Sequence, residues 1–117
     1  MELFDFLKTP PSASTMRGLL TRMKQKNGTE LRLTPGAVPQ TLVSGRLLPL
    51  PGRPLTPDET RSLCFSLFTE KEAAEFEKNS RVEVPFGVKD LGRYRAKIVS
   101  VDGKVSGVIT VFVPPRM

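Results

Sequence analysis

Two helix-start signatures in close succession constrain this chain more than any other feature. Thr56-Pro57-Asp58-Glu59 combines an N-cap threonine, a proline in the first turn and a glutamate placed to bond back to the cap. Thr69-Glu70-Lys71-Glu72 repeats the threonine-to-glutamate spacing. Each signature needs only its own neighbours, so the spacing predicts two helices meeting at a corner. Leu63, Cys64, Phe65, Leu67 and Phe68 make the first apolar around much of its circumference. In the second, Ala73, Ala74 and Phe76 face inward. Glu70, Glu72, Glu75 and Glu77 form an acidic outer run, read as a solvated face with a docking surface as the alternative.

The segments on either side are ordered by their apolar period. Ser14 is placed as an N-cap, and Met16, Leu19, Leu20 and Met23 follow one buried helical stripe. Asn27-Gly28 supplies residues that tolerate a left-handed stop. Arg17, Arg22, Lys24 and Lys26 fall outside the stripe and make the densest basic surface of the chain. Residues 29–33 alternate as a half-buried strand, and residues 40–48 read as a second strand with Ser44-Gly45 as a bulge or tight turn. Residues 48–54 read as a proline-rich surface loop. Beyond the two helices, residues 81–86, 93–101 and 104–113 form a strand meander, with Asp102-Gly103 as a hairpin turn. Helices grouped on one side of an antiparallel sheet make an α+β domain. It spans residues 14–117, after an extension over residues 1–13.

That extension carries Leu3, Phe4, Phe6 and Leu7, then Pro10-Pro11. A segment so short does not hold a helix in water by itself, so it docks on its own domain or on a partner. The proline pair is a stiff spacer.

Composition narrows the chemistry. At 117 residues the chain is one domain, long enough for a modest core. It has no histidine and a single cysteine, which removes the usual zinc ligands, the usual general base and an internal disulfide. Cys64 reads as a small buried hydrophobe. No metal, cofactor or catalytic residue is expected. No apolar run reaches the ~20 residues that span a bilayer, so a cytoplasmic protein is expected. The net charge of +6 is uneven: residues 1–57 hold eight basic and three acidic residues, residues 58–117 ten and nine. A basic front points to acidic partners, whether protein, nucleotide or nucleic acid.

Residues 28–114 resemble the N-terminal, PAS-like domain of the type IV pilus retraction ATPases and their secretion-ATPase relatives. That family opens with Gly-Ala-Ser-Asp-Leu-His-Leu, where this chain has Gly28-Thr29-Glu30-Leu31-Arg32-Leu33 followed by Thr34-Pro35-Gly36. Leu42-Val43-Ser44-Gly45-Arg46-Leu47 corresponds to a strand with an Arg-Val-Asp-Gly-like turn, and Pro54-Leu55-Thr56-Pro57 to a Pro-Leu-Thr helix start. The glutamate-rich helix is matched by residues 69–78. Leu91-Gly92-Arg93-Tyr94-Arg95-Ala96 aligns with the Ala-Arg-Phe-Arg-Val strand, and Val111-Phe112-Val113-Pro114 with the closing strand. Departures include Arg32 at the histidine position, Ser44 in the turn and Phe112 where the closing strand carries arginine.

The resemblance implies a front domain that packs on a neighbouring subunit, with Arg93 and Arg95 inheriting a reach toward nucleotide phosphates. Solvent-facing residues on a strand are the alternative. The phosphate-cradling Gly-x-x-x-x-Gly-Lys-Ser/Thr loop is absent from these residues, and Gly103-Lys104-Val105-Ser106-Gly107 mimics only its composition. The expectation is a non-catalytic interaction or regulatory module of a pilus (twitching) or secretion ATPase system, free-standing or excised from a longer ATPase. It docks on such an ATPase or another partner, or self-associates through a sheet edge or the front extension. Leu3, Phe4, Phe6, Arg17, Arg22, Arg93 and Arg95 are the candidate interaction residues. A nucleotide-sensing domain is the alternative; nucleic-acid binding is disfavoured by the few aromatics available for base stacking.

Overall fold

A computed structural model of the protein describes residues 15–112. Helix α1 (Met16–Gln25) is followed by strands β1 (Glu30–Leu33), β2 (Gln40–Val43) and β3 (Arg46–Pro49), helices α2 (Pro57–Phe65) and α3 (Glu70–Asn79), and strands β4 (Arg81–Val88), β5 (Gly92–Val101) and β6 (Lys104–Val111). The strands form one antiparallel sheet in the order β3-β2-β1-β6-β5-β4. Its central pairing, β1 with β6, joins the first strand of the chain to the last. This is the α+β architecture anticipated from the element order.

Both capping boxes form. The Thr56 hydroxyl accepts from the Glu59 N–H while the Glu59 carboxylate accepts from the Thr56 N–H, and Thr69 and Glu72 repeat the exchange. The corner between α2 and α3 is filled by Phe65, Phe68 and Phe76, with ring centroids 5.0–5.6 Å apart. Aromatic contacts of this kind add about 0.5–1.5 kcal/mol each beyond area burial.

One sheet face is apolar, and the helices cover it. Leu31, Leu33, Val82, Val84, Tyr94, Ala96, Ile98, Val105 and Ile109 alternate inward and meet Met16, Leu19, Leu20 and Met23 of α1 and Leu63 and Cys64 of α2. Cys64 packs so tightly on β6 that a Cβ at Gly107 would lie 3.0 Å from its sulfur. Burial pushes the thiol up to about 12, so Cys64 serves as core.

Four boundaries differ from the sequence reading. Helix α1 is capped by Thr15, whose hydroxyl accepts from the Gly18 N–H at 3.0 Å; Ser14 lies outside the described residues. Residues 40–48 are not one strand. Ser44 (φ 50°) and Gly45 (φ 81°) make a two-residue turn with positive φ at both positions, which splits the segment into β2 and β3. The 48–54 loop is anchored: Leu50 and Leu55 are buried, and their amides donate to the Pro39 and Ala37 carbonyls. Strand β4 runs on to Val88 before turning.

Each outer edge carries a proline. Ladder alternation places the Arg81, Glu83, Pro85 and Gly87 backbone groups outward on β4, and those of Leu47 and Pro49 outward on β3. Pro85 and Pro49 remove a donor from each edge.

Candidate docking site

The sheet has an end where the loop closing α1, the β4–β5 turn and the last residues of β6 converge. Helix α1 stops in a Schellman arrangement: the Gly28 N–H donates to the Met23 carbonyl at 2.8 Å, the Asn27 N–H to Lys24 at 3.0 Å, and Asn27 is left-handed at φ 61°. Gly28 has no room for a side chain, since a Cβ would fall 2.0 Å from the Thr41 Oγ1 and 2.7 Å from the Met23 Cγ. The buried Thr41 hydroxyl donates to the Glu30 carbonyl at 2.9 Å. The helix end is thereby pressed against the sheet and holds Lys24 at the rim.

The opposing wall is the β4–β5 turn. Its geometry uses Asp90 at φ 70°, and the Leu91 N–H donates to the Val88 carbonyl. Arg17 reaches across from α1 and donates to the Lys89 carbonyl at 3.0 Å, tying the helix to this turn. Between these walls lies a groove of about 350 Å³, with Leu91, Tyr94, Val111 and Phe112 as apolar lining and Lys24 and Arg93 as its basic groups.

Arg93 and Arg95 alternate onto the open face of β5 and stand beside Phe112, which pairs with Arg93 through its own N–H. The Arg95 guanidinium lies over the Phe112 ring at 5.5 Å from its centroid. A small adjoining cavity of about 80 Å³ is bounded by Arg93, Arg95, Phe86 and Phe112. The two acids of the open face are engaged by other bases: Glu30 with Arg32 at 2.5 Å, and Glu83 with Lys97 at 3.7 Å. Among the described residues, Arg93 and Arg95 have no ion-pair partner. This end of the sheet therefore carries uncompensated positive charge beside apolar surface, an arrangement suited to an acidic, partly apolar protein surface.

Of the residues expected from the sequence, Arg93 and Arg95 lie together at this end and Arg17 braces its turn. Arg22 does not join them; it reaches toward the Pro51 carbonyl at 3.5 Å, over the 50–55 loop. Leu3, Phe4 and Phe6 lie outside the described residues. Sequence reasoning missed Lys24, Leu91 and Phe112 as partners in one groove. Phe112, a departure from the family pattern, supplies the ring on which Arg95 rests. Gly103 and Lys104 belong to the β5–β6 hairpin, with Gly107 within β6, so that stretch builds no phosphate loop. Among the described residues no group of three acidic, histidine or cysteine side chains converges to hold a metal ion, and no helix is long and apolar enough to cross a membrane.

No protein-family model matches the chain. Over 77 residues, 66% of its length, it is 31% identical to the type IV pilus ATPase PilU of Pseudomonas aeruginosa, of which it spans 20%. Its fold matches the pilus retraction motor PilT, solved with bound ADP, at a TM-score of 0.80 and 25% identity, covering 88% of this chain and 30% of that one. The ATPase DotB of Legionella pneumophila shares the fold at a TM-score of 0.72 and 19% identity, over 86% of this chain and 30% of its own. The chain thus spans a fifth of PilU and under a third of the two solved ATPase chains.

Proposed function

We propose that this chain, which corresponds to the front domain of the pilus retraction and secretion ATPase family, is a non-catalytic interaction module that docks on an ATPase of that family. The observation that carries this reading is the basic, apolar-floored groove end, where Arg93 and Arg95 stand without acidic partners. The family resemblance implies that this strand faces a neighbouring subunit. A guanidinium pair suits such a contact because it stays charged and donates in a planar fork to carboxylate or phosphate oxygens. The proposed workplace is the cytoplasm, beside a pilus or secretion motor.

The test is binding of the full chain to a purified PilU- or PilT-type ATPase, measured by biolayer interferometry at physiological salt. The Arg93→Ala/Arg95→Ala double variant is expected to weaken the complex about tenfold, about 1.4 kcal/mol. Unchanged affinity in that variant, or no complex with the unmodified chain, sinks the reading.

A second reading is a PAS-like nucleotide sensor, favoured by the groove's volume, about 350 Å³, at the lower end of the range for small-molecule sites. A thermal-shift series with ADP separates the two. Saturable stabilisation lost in Arg93→Ala supports sensing, and a flat response up to millimolar ligand removes it.

A further inference from the structure

We propose that the groove between α1 and the β4–β5 turn is the seat of the chain's own first residues, which occupy it in cis and compete with the docking partner. This rests on the docking reading above and adds its regulation.

The chemistry is complementary. The groove offers Leu91, Tyr94, Val111 and Phe112 as apolar lining and Lys24 and Arg93 as its basic groups. The opening Met1-Glu2-Leu3-Phe4-Asp5-Phe6-Leu7 interleaves large apolar side chains with two acids and carries no base before Lys8. Leu3, Phe4 and Phe6 suit the lining, while Glu2 and Asp5 suit Lys24 and Arg93. A solvated stretch this apolar gains by covering such a surface.

Reach permits it. Helix α1 has ten residues, so its first turn lies about 15 Å from the groove end at 1.5 Å per residue. Residues 8–14 link Leu7 to Thr15 and include Pro10-Pro11. At about 3.1 Å per residue they extend to about 22 Å, enough to run back along the helix. Arg17 holds the start of α1 to the Lys89 carbonyl of the β4–β5 turn, which places Thr15, the first described residue, near the groove wall.

Charge favours this seat over a larger hollow among the described residues. That hollow, of about 740 Å³, lies at the start of β4 and presents Glu75 and Glu83 alongside Arg81 and Lys97. Its acids repel Glu2 and Asp5, and its Lys97 already pairs with Glu83.

The experiment compares ¹⁵N–¹H spectra of the full chain and of its Phe4→Asp/Phe6→Asp variant, with no partner present. Loss of the contact is expected to move the amides of Asn27, Leu91, Gly92, Arg93 and Phe112 and to leave those of α2 and α3 in place. A synthetic peptide of residues 1–8, added to the variant, is expected to return them. Asp5→Arg, a gentler change, is expected to move the same amides by less. Groove amides that do not move, movement centred elsewhere, or shifts that depend on protein concentration and so report exchange between copies each overturn the proposal.

Affinity for the ATPase separates this idea from the docking reading. If both hold, Phe4→Asp/Phe6→Asp raises that affinity severalfold. Moved groove amides with unaltered ATPase affinity keep the cis contact and remove the shared site. Unmoved amides with affinity still lost in Arg93→Ala/Arg95→Ala do the reverse.

Discussion

The two ends of the sheet are both rich in charge, yet they are built to opposite effect. At the end where β4 begins, Arg81, Glu83, Lys97 and Glu75 mix signs around one hollow, and Lys97 pairs with Glu83 across the strands at 3.7 Å. Such exposed pairs add little, typically under about 1 kcal/mol, and leave no excess for a visitor. At the opposite end Lys24, Arg93 and Arg95 surround apolar side chains without any acid among the described residues lining that groove. Charge density alone therefore does not mark an interface. What distinguishes the second end is charge left unmatched beside surface that gains from being dried.

The largest perturbation of that contrast is steric. Gly28→Ala drives a Cβ toward Thr41 and Met23 and lifts the end of α1 off the sheet. Overpacking of this kind is expected to cost about 2–3 kcal/mol in urea unfolding, with partner binding weakened as well. Alanine at Gly36, where no heavy atom lies within 4 Å of the added carbon, meets no such clash and is limited to the strain of φ +86°.

Next is the direct comparison of the ends. Arg93→Ala/Arg95→Ala is expected to weaken ATPase binding about tenfold, whereas Arg81→Ala/Lys97→Ala at the mixed end changes it less than about twofold. Equal losses at both ends would erase the distinction.

A smaller effect isolates the corner that belongs to neither end. Thr69→Ala removes the cap of α3 and is expected to lower stability by about 1 kcal/mol without touching the groove. Binding measured on this variant checks that lost stability alone does not imitate lost contact.

The smallest is a pH effect. Hydrogen bonds from Arg53, and then from the Thr56 N–H, hold the Glu59 carboxyl at about 2, against an ordinary 4.5. Because the folded value is depressed, this contribution is present above pH ~4.5 and is lost as pH falls toward 2. The unfolding midpoint is expected to drop through that window, and Arg53→Gln to shallow the drop. An identical pH profile for Arg53→Gln would remove Arg53 as its cause.

How much of this was readable in advance follows the range of each interaction. The boxes at Thr56 and Thr69 and the Asp102-Gly103 turn are complete within four residues, and the sequence displays them directly. The buried stripe of α1 shows for the same reason. Ser44-Gly45 was ambiguous because serine is an uncommon occupant of the left-handed region, and the choice between bulge and turn depends on which strands pair. The groove was illegible as a unit. It brings Lys24, Leu91 and Phe112 together only once β6 lies between β1 and β5, and its brace, Arg17 to Lys89, spans 72 residues. Leu3, Phe4 and Phe6 mark an apolar segment in the sequence, but no local pattern names the surface that would cover it.

The prolines on the two sheet edges carry a consequence for crowding. A domain with an adhesive end and an open strand on its flank risks growing without limit, each copy templating the next. Here Pro49 and Pro85 interrupt the row of amides on which a further strand would have to register. Strand-by-strand growth of one copy on the next is thereby denied its template at both flanks of the sheet.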